Sequence, residues 1–314
     1  MARFLVRRVL SLVIVLAIVG VVSFAIIHLT PGNPASVILG DNAEPSQVAS
    51  LNHELGLDRP LWSQFLSWSG RALHGNLGQS IFYDEPVSSV VAGHLVPTVY
   101  EAILATMLSL LVAWPTGLVA AWRRRSLLDR IFMSVSLLGV SIPSFWLGLM
   151  FIAVFAVGLG WLPVTGYVAP SVNLSQFVVH LVLPVVVLAA SQAAIIARML
   201  RDGVIDNLSR PYIRTARAKG APERAVLLGH AMPNALIPTL TVIGSSLATL
   251  LGGVVVVEVV FNIPGIGNLI IQAISNRDYP LVEGIALAFA LIYVGVNLLV
   301  DLSYAVADPR IRYR

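Results

Sequence analysis

The sequence predicts an all-α polytopic membrane protein of six transmembrane helices with both termini in the cytoplasm. Two observations predict the helices and a third their direction. Of 314 residues, 57% are apolar and only 11% charged, against about 45 to 50% and about 25% in a soluble domain. Six apolar runs reach the ~20 residues that a ~30 Å hydrocarbon layer demands of a helix. These runs far exceed barrel strands, and in lipid only helices and closed barrels satisfy every backbone group. The third observation is that 17 of the 20 basic residues fall on one side once the runs are threaded alternately. Basic residues concentrate on the cytoplasmic side of such proteins.

In chain order, residues 1–8 form a cytoplasmic N-terminus carrying Arg3, Arg7 and Arg8, and 9–29 the first span. That first run is longer than the ~7 to 15 apolar residues of a signal peptide, and no small-x-small cleavage pattern follows it, so it reads as a retained helix. An external segment, 30–97, contains two short helix signals, at Pro45 and Ser46 and at Asp58 and Pro60. In the second, Leu61, Phe65 and Trp68 recur at helical spacing, with Trp62 and Leu66 beside them. This stripe suits either the outer leaflet or packing on the other spans. The second span, 98–122, leads to a cytoplasmic loop, 123–130, with Arg123, Arg124, Arg125 and Arg130, and then to a third span, 131–157. An external loop, 158–177, precedes the fourth span, 178–197; a cytoplasmic loop, 198–234, precedes the fifth, 235–257. External residues 258–282, a sixth span, 283–306, and a cytoplasmic C-terminus, 307–314, complete the chain.

Several chemistries are excluded. There is no Cys, hence no disulfide, thiolate nucleophile or Cys-ligated metal. The only Lys, Lys219, follows Ala218, so the Gly-Lys-Ser/Thr ending of a phosphate-binding loop is absent. If ATP drives this protein, another chain binds it. Glu101, Glu258, Glu283 and Asp301 fall near predicted span ends, not centres, and no two His lie four residues apart. Buried charges of the kind that mark ion relays are therefore not evident. His180 and Gln192 read as polar contacts between helices. A stand-alone secondary transporter is the rival of another class; it calls for an inverted repeat, a filter loop or buried charges, none of them visible.

The loop 198–234 is the most informative stretch. Ser209 and Pro211 start a helix of about two turns through Lys219, and Gly220 is a natural left-handed terminator. Pro222 and Glu223 start a second helix, through Ala231. A folded basic loop of this kind suits a partner's groove, or alternatively anionic headgroups.

The run Tyr212-Ile-Arg-Thr-Ala-Arg-Ala-Lys-Gly220 and then His230-Ala-Met-Pro-Asn-Ala-Leu-Ile-Pro238 resembles the cytoplasmic coupling loop of binding-protein-dependent ABC importers, in particular the dipeptide/oligopeptide branch. The family's Glu-Ala-Ala reads Arg214-Thr215-Ala216 here, its Gly is Gly220 and its Leu-Pro is Met232-Pro233. Arg214 in place of the Glu means that a contact through that Glu does not carry over. Further similarities are Leu55-Gly-Leu-Asp-Arg-Pro60, Gly75-Asn-Leu-Gly-Gln-Ser80, Ser141-Ile-Pro-Ser-Phe-Trp146, Phe261-Asn-Ile-Pro-Gly-Ile-Gly267, Arg277-Asp-Tyr-Pro280, and Asn297 to Asp301 with Asp308 to Arg312.

The resemblance implies the type I importer permease fold, with its core about residues 96–308. The chain would be no enzyme itself but a permease subunit of a bacterial or archaeal inner-membrane importer. Expected partners are a paralogous second permease, two ATP-binding cassette subunits that hold ATP and Mg, an external solute-binding protein and membrane lipid; nucleic acid is not among them. Peptides are the expected cargo, with nickel or a glutathione-like solute as alternatives. The coupling loop would act through Arg214, Thr215, Ala216, Arg217, Gly220, Ala221, Met232 and Pro233. For the pathway, Pro143 breaks the third span between Ser141 and Ser144, and Gly244 and Ser245 loosen the fifth. Such positions either line a water-filled cavity or allow close helix contact. The external Pro264, Gly265 and Gly267 form a structural re-entrant turn or a gate.

Overall fold

The computed structural model describes residues 2–29, 34–39, 43–54 and 57–307. Residues 55–56 of the Leu55–Pro60 motif, the Asp308 to Arg312 motif and the tail beyond Ala307 lie outside the described residues. Helices occupy α1 (Ala2–Leu29), α2 (Pro34–Leu39), α3 (Pro45–Glu54), α4 (Leu61–Leu73), α5 (Val87–Trp122), α6 (Leu127–Ser141) and α7 (Ser144–Phe151). They continue as α8 (Leu174–Leu208), α9 (Pro211–Ala218), α10 (Glu223–Ala225), α11 (Met232–Phe261), α12 (Ile266–Ser275) and α13 (Tyr279–Ala307). Wider π-helical turns extend α7 over Ile152–Gly158 and join α10 to α11 over Val226–Ala231. Among the described residues, no strand occurs beyond one isolated bridge, Gln79 to Pro86.

Among the described residues, four helices are long and apolar enough to cross a membrane: Val87–Trp122, Leu174–Leu208, Glu223–Phe261 and Tyr279–Val300. The third expected span is divided, since α6 and the α7 segment meet at 103°. Its cause is local. Pro143 has no N–H and forces the residue before it out of the helical region, and Ile142 (φ −82°, ψ 123°) and Pro143 (φ −61°, ψ 138°) are both extended. Helix α5 starts at Val87, well before the apolar run of the second span, because backbone hydrogen bonding continues where hydropathy stops marking it.

The chain forms two compact units, residues 1–96 with 265–294, and 97–264 with 295–314. In the first, Val87, Val90 and Val91 of α5 share a core with Ile266, Leu269 and Ala273 of α12 and Leu281 and Ile285 of α13. Gly284 is needed there, because a Cβ would collide with Val87. Buried Asp278 ties the preceding loop to this core: its Oδ2 accepts from Ser80 Oγ at 2.5 Å and from the Phe82 N–H at 3.0 Å, while Oδ1 accepts from the Leu281 N–H at 3.2 Å. Helix α4 packs one side on α1 and leaves the other exposed. Phe65 and Trp68 stack with Phe24 of α1, ring centroids 5.4 and 6.1 Å away, while Leu61, Trp62 and Leu66 stay exposed. Asp58 does not cap α4. Its carboxylate lies 2.8 Å from His53 Nδ1, and this hydrogen bond holds it below its usual range.

In the second unit α8 is the central helix. Its Phe177, Leu181 and Leu188 meet Leu250, Val254 and Val257 of α11, while Ala193 and Ile196 meet Ala113 of α5. Gly117 of α5 permits close approach to α8, since a Cβ there would lie 2.7 Å from the Ala197 carbonyl. Likewise Gly244 of α11 lies against Val300 of α13, whose Cγ1 would be 2.5 Å from an added Cβ.

Candidate functional site

The segment between α8 and α11 is a folded element hung between two long helices of its unit. Arg210 is extended (ψ 151°) and Pro211 opens α9, where a missing N–H costs nothing. Eight residues later the helix stops. Lys219 N–H returns to Thr215 O (3.1 Å), Gly220 N–H to Arg217 O (2.9 Å) and Ala221 N–H to Ala216 O (3.2 Å), closing the terminus around Gly220 at φ +82°. That conformation suits glycine and strains other residues.

One side chain anchors the element. Ile213 is fully buried among Leu200 and Val204 of α8, Val226, and Ala231 and Ala235 beside and within α11. Burying an isoleucine stabilises by about 1.5–3 kcal/mol, enough to hold two helical turns to the bundle. A polar seam supports it: Tyr212 Oη donates to Asn207 Oδ1 at 3.0 Å, and Asn234 Nδ2 donates to His230 O at 2.9 Å and to Tyr212 Oη at 3.3 Å. Across the bend, Arg217 Nε and Nη2 donate to Glu223 Oε1 and Oε2 at 2.7 and 3.1 Å. Glu223's hydrogen bonds raise the Arg217 guanidinium further above its usual value. Arg214, Thr215, Arg217 and Gly220 are exposed, Ala216, Ala221 and Met232 half-buried, and Pro233 exposed at the start of α11. An isolated aliphatic in a basic helix was the signal for Ile213; the seam had none.

The residues expected along a pathway do not share one environment. Ser141 is exposed and donates to Leu137 O at 2.8 Å; Pro143 is exposed and Ser144 half-buried at the bend. Gly244 is buried against Val300, whereas Ser245 is exposed and donates to Val242 O at 3.0 Å. Beyond α11, Asn262 adopts the left-handed conformation (φ 50°, ψ 49°) and Ile263 is fully buried. Pro264 is exposed, Gly265 is extended (φ −101°, ψ 178°), and Gly267 is buried in the first turn of α12.

Two charged clusters escaped the sequence reading. Asp129, in the first turn of α6, accepts from Arg201 Nε at 2.6 Å and Nη2 at 2.9 Å, and from the Arg125 N–H at 2.8 Å. At the other end of the same unit Glu101 of α5 and Glu258 of α11, both fully buried, are close enough to interact electrostatically. Thr98 Oγ1 donates to Glu258 Oε1 at 2.5 Å, while neither carboxylate oxygen of Glu101 has a hydrogen-bond partner. Both acids were legible as span-end residues; their meeting was not.

Spanning helices without a nucleotide-binding loop, carrying a small, anchored, outward-facing basic helix, define a permease-type membrane component. Residues 113–313 match the binding-protein-dependent transport system inner membrane component, and residues 1–98 its N-terminal region. A probable peptide ABC transporter permease of Sinorhizobium fredii is 44% identical over 313 residues, all of both chains. A glutathione transport system permease, GsiC of Escherichia coli O6:H1, is 39% identical over 314 residues, again all of both. A crystal structure of an amino acid ABC transporter with histidines shares the fold at a TM-score of 0.52 and 17% identity, covering 69% of this chain and 94% of that one. The chain belongs to the binding-protein-dependent transport system inner membrane component family.

Proposed function

We propose that this chain forms half of the translocation pathway of an ATP-driven importer of di- or oligopeptides in a bacterial or archaeal inner membrane, and that the α9 element couples it to the motor. The observation that carries this reading is the loop itself: a preformed helix, anchored by Ile213 and closed at Gly220, with its basic face left outside. A rigid projection transmits displacement to α8 and α11; a flexible loop would absorb it. Arg214, Thr215, Ala216, Arg217, Gly220 and Ala221, with Met232 and Pro233 at the root of α11, form the coupling surface.

The partners in this reading are a second permease, two ATPase subunits holding ATP and Mg, and an external solute-binding protein. Closure of the ATPases moves α9, and the permease pair alternates its access. ATP does this only by binding the closed pair more tightly than the open one. Ser141, Pro143 and Ser144 at the bend, with Ser245 and Gly244, belong to the pathway, and Pro264 to Gly267 form the external turn. Peptide cargo is supported by the relatives; glutathione, a tripeptide, falls in the same chemical class. Six spans with both ends in the cytoplasm, a core at 96–308 and the span limits predicted from the sequence complete the proposal.

A tagged chain purified in mild detergent is expected to bring the second permease and the ATPases with it; recovery without them overturns the reading. In that complex Gly220→Val is expected to lower transport per ATP about 5 to 30-fold, the equivalent of 1–2 kcal/mol of left-handed strain. No atom lies within 4 Å of a Cβ placed at Gly220, so the effect acts through the backbone, and Gly220→Asn, which tolerates the conformation, keeps coupling. Equal coupling in the Val variant removes the bend from the mechanism. For the topology, single cysteines at Ser46 and Arg124 are expected to label from opposite sides; labelling of both from outside refutes it.

A further inference from the structure

Where α5, α6 and α8 converge, a pocket lined by Gly117, Met133, Ser136, Arg198 and Arg201 has room for about one water, ≈ 20 Å³. The two guanidinium groups in it are treated differently. Arg201 is satisfied: Nε and Nη2 bond Asp129, and Nη1 bonds Asp202 at 2.6 Å. Arg198 is not: its Nε and Nη2 are both buried without a hydrogen-bond partner. Asp129 and Asp202 are already engaged by Arg201, so neither is left to neutralise it. A buried ionic donor without an acceptor costs more than a neutral one, so something outside the described chain fills this role.

The geometry points to the phosphate of an anionic phospholipid as the occupant. The Nε and Nη2 edge of a guanidinium presents two parallel N–H groups to an anionic oxygen. The pocket has room for about one phosphate oxygen, which both N–H groups can share, while the rest of the headgroup stays outside it. Its place fits as well. It opens a turn or two from Trp122 at the end of α5 and from Arg123, Arg124, Arg125 and Arg130. Those exposed arginines set this end of the bundle at headgroup depth, whichever leaflet it faces, and basic pockets between spanning helices hold acidic lipid headgroups. Ile131, Val135 and Leu138 of α6 are exposed beside it, an apolar surface for the acyl chains.

Native mass spectrometry of the assembled complex, exchanged from detergent into phosphatidylglycerol or phosphatidylcholine, tests this. The complex is expected to retain phosphatidylglycerol in preference to phosphatidylcholine, and Arg198→Gln to weaken that retention about tenfold or more. Arg198→Lys, which keeps the charge and loses the fork, falls between, and it keeps the test open if the Gln variant fails to assemble. Arg124→Gln, on an exposed arginine outside the pocket, removes the same charge and is expected to weaken retention clearly less than Arg198→Gln does. If 10 mM inorganic phosphate alone displaces phosphatidylglycerol through Arg198, the phosphate site stands and its source is a soluble anion. Equal retention of the two lipids, or of phosphatidylglycerol by native and Arg198 variants alike, overturns the proposal and leaves the pocket to a water molecule.

Discussion

The unit built on α8 treats its acidic side chains in opposite ways at its two ends. At the arginine-rich end Asp129 receives both arms of Arg201 and the Arg125 N–H, and it sits in the first turn of α6, where the helix dipole favours an anion. At the other end Glu101 and Glu258 are equally buried. There Glu101 has no hydrogen bond at either oxygen, and Glu258 sits in the last turn of α11, where the dipole opposes an anion. The difference follows from the way charge is sorted along a membrane chain. The rule that gathers arginines at one end of the bundle leaves few counter-charges for the other, and Glu101 there meets a second acid, Glu258.

The sharpest way to break this comparison is to make the same change, acid to amide, at each end. Asp129→Asn leaves the side chain's shape and removes the charge that Arg201 requires, turning one acceptor into a donor that faces a guanidinium. Removing one partner of a buried pair costs roughly 3–5 kcal/mol. Arg201 keeps 16% of its side chain exposed, so the low end, about 3 kcal/mol, is expected. Thermal unfolding of the purified complex reads it as a lowered midpoint and poorer assembly. A loss under about 1 kcal/mol would put this pair among surface ion pairs and erase half of the contrast.

What was legible in the sequence divides along similar physical lines. Local rules located the break at Pro143, the start of α9 at Pro211 and the bend at Gly220, because each depends on one residue's φ or missing N–H. Hydropathy located the apolar runs, yet it did not find where α5 begins, since helical hydrogen bonds run past the apolar stretch. Contacts between distant positions were out of reach. Nothing in the sequence near Gly244 names Val300, nothing near Asp129 names Arg201, and Glu101 and Glu258 read as separate span-end residues. At Asp58 and Pro60 the helix signal located the start of α4, while the Asp58 side chain turns to His53, a partner the signal does not name. For the candidate coupling loop, the exposed basic face was legible, whereas its attachment through Ile213 and the Tyr212 seam depends on α8 and α11.

The smaller effect is expected at the other end. Glu101→Gln exchanges one set of unbonded polar atoms for another of the same size and removes the capacity for charge. Neither Glu101 oxygen has a hydrogen-bond partner among the described residues, so the amide forfeits no interaction found in this chain. The complex is expected to assemble normally, with an unfolding midpoint equal to that of the native complex or a few degrees above it, the scale of about 1 kcal/mol in a domain of this size. Acid-to-amide exchange would then have opposite signs at the two ends of one helix bundle. A loss at Glu101 as large as that at Asp129 would mean that a cation reaches it in the assembly. Because no basic residue of this chain is bonded to Glu101 among the described residues, that cation would come from another subunit or from cargo, and the second acid cluster would have to be read as a contact site.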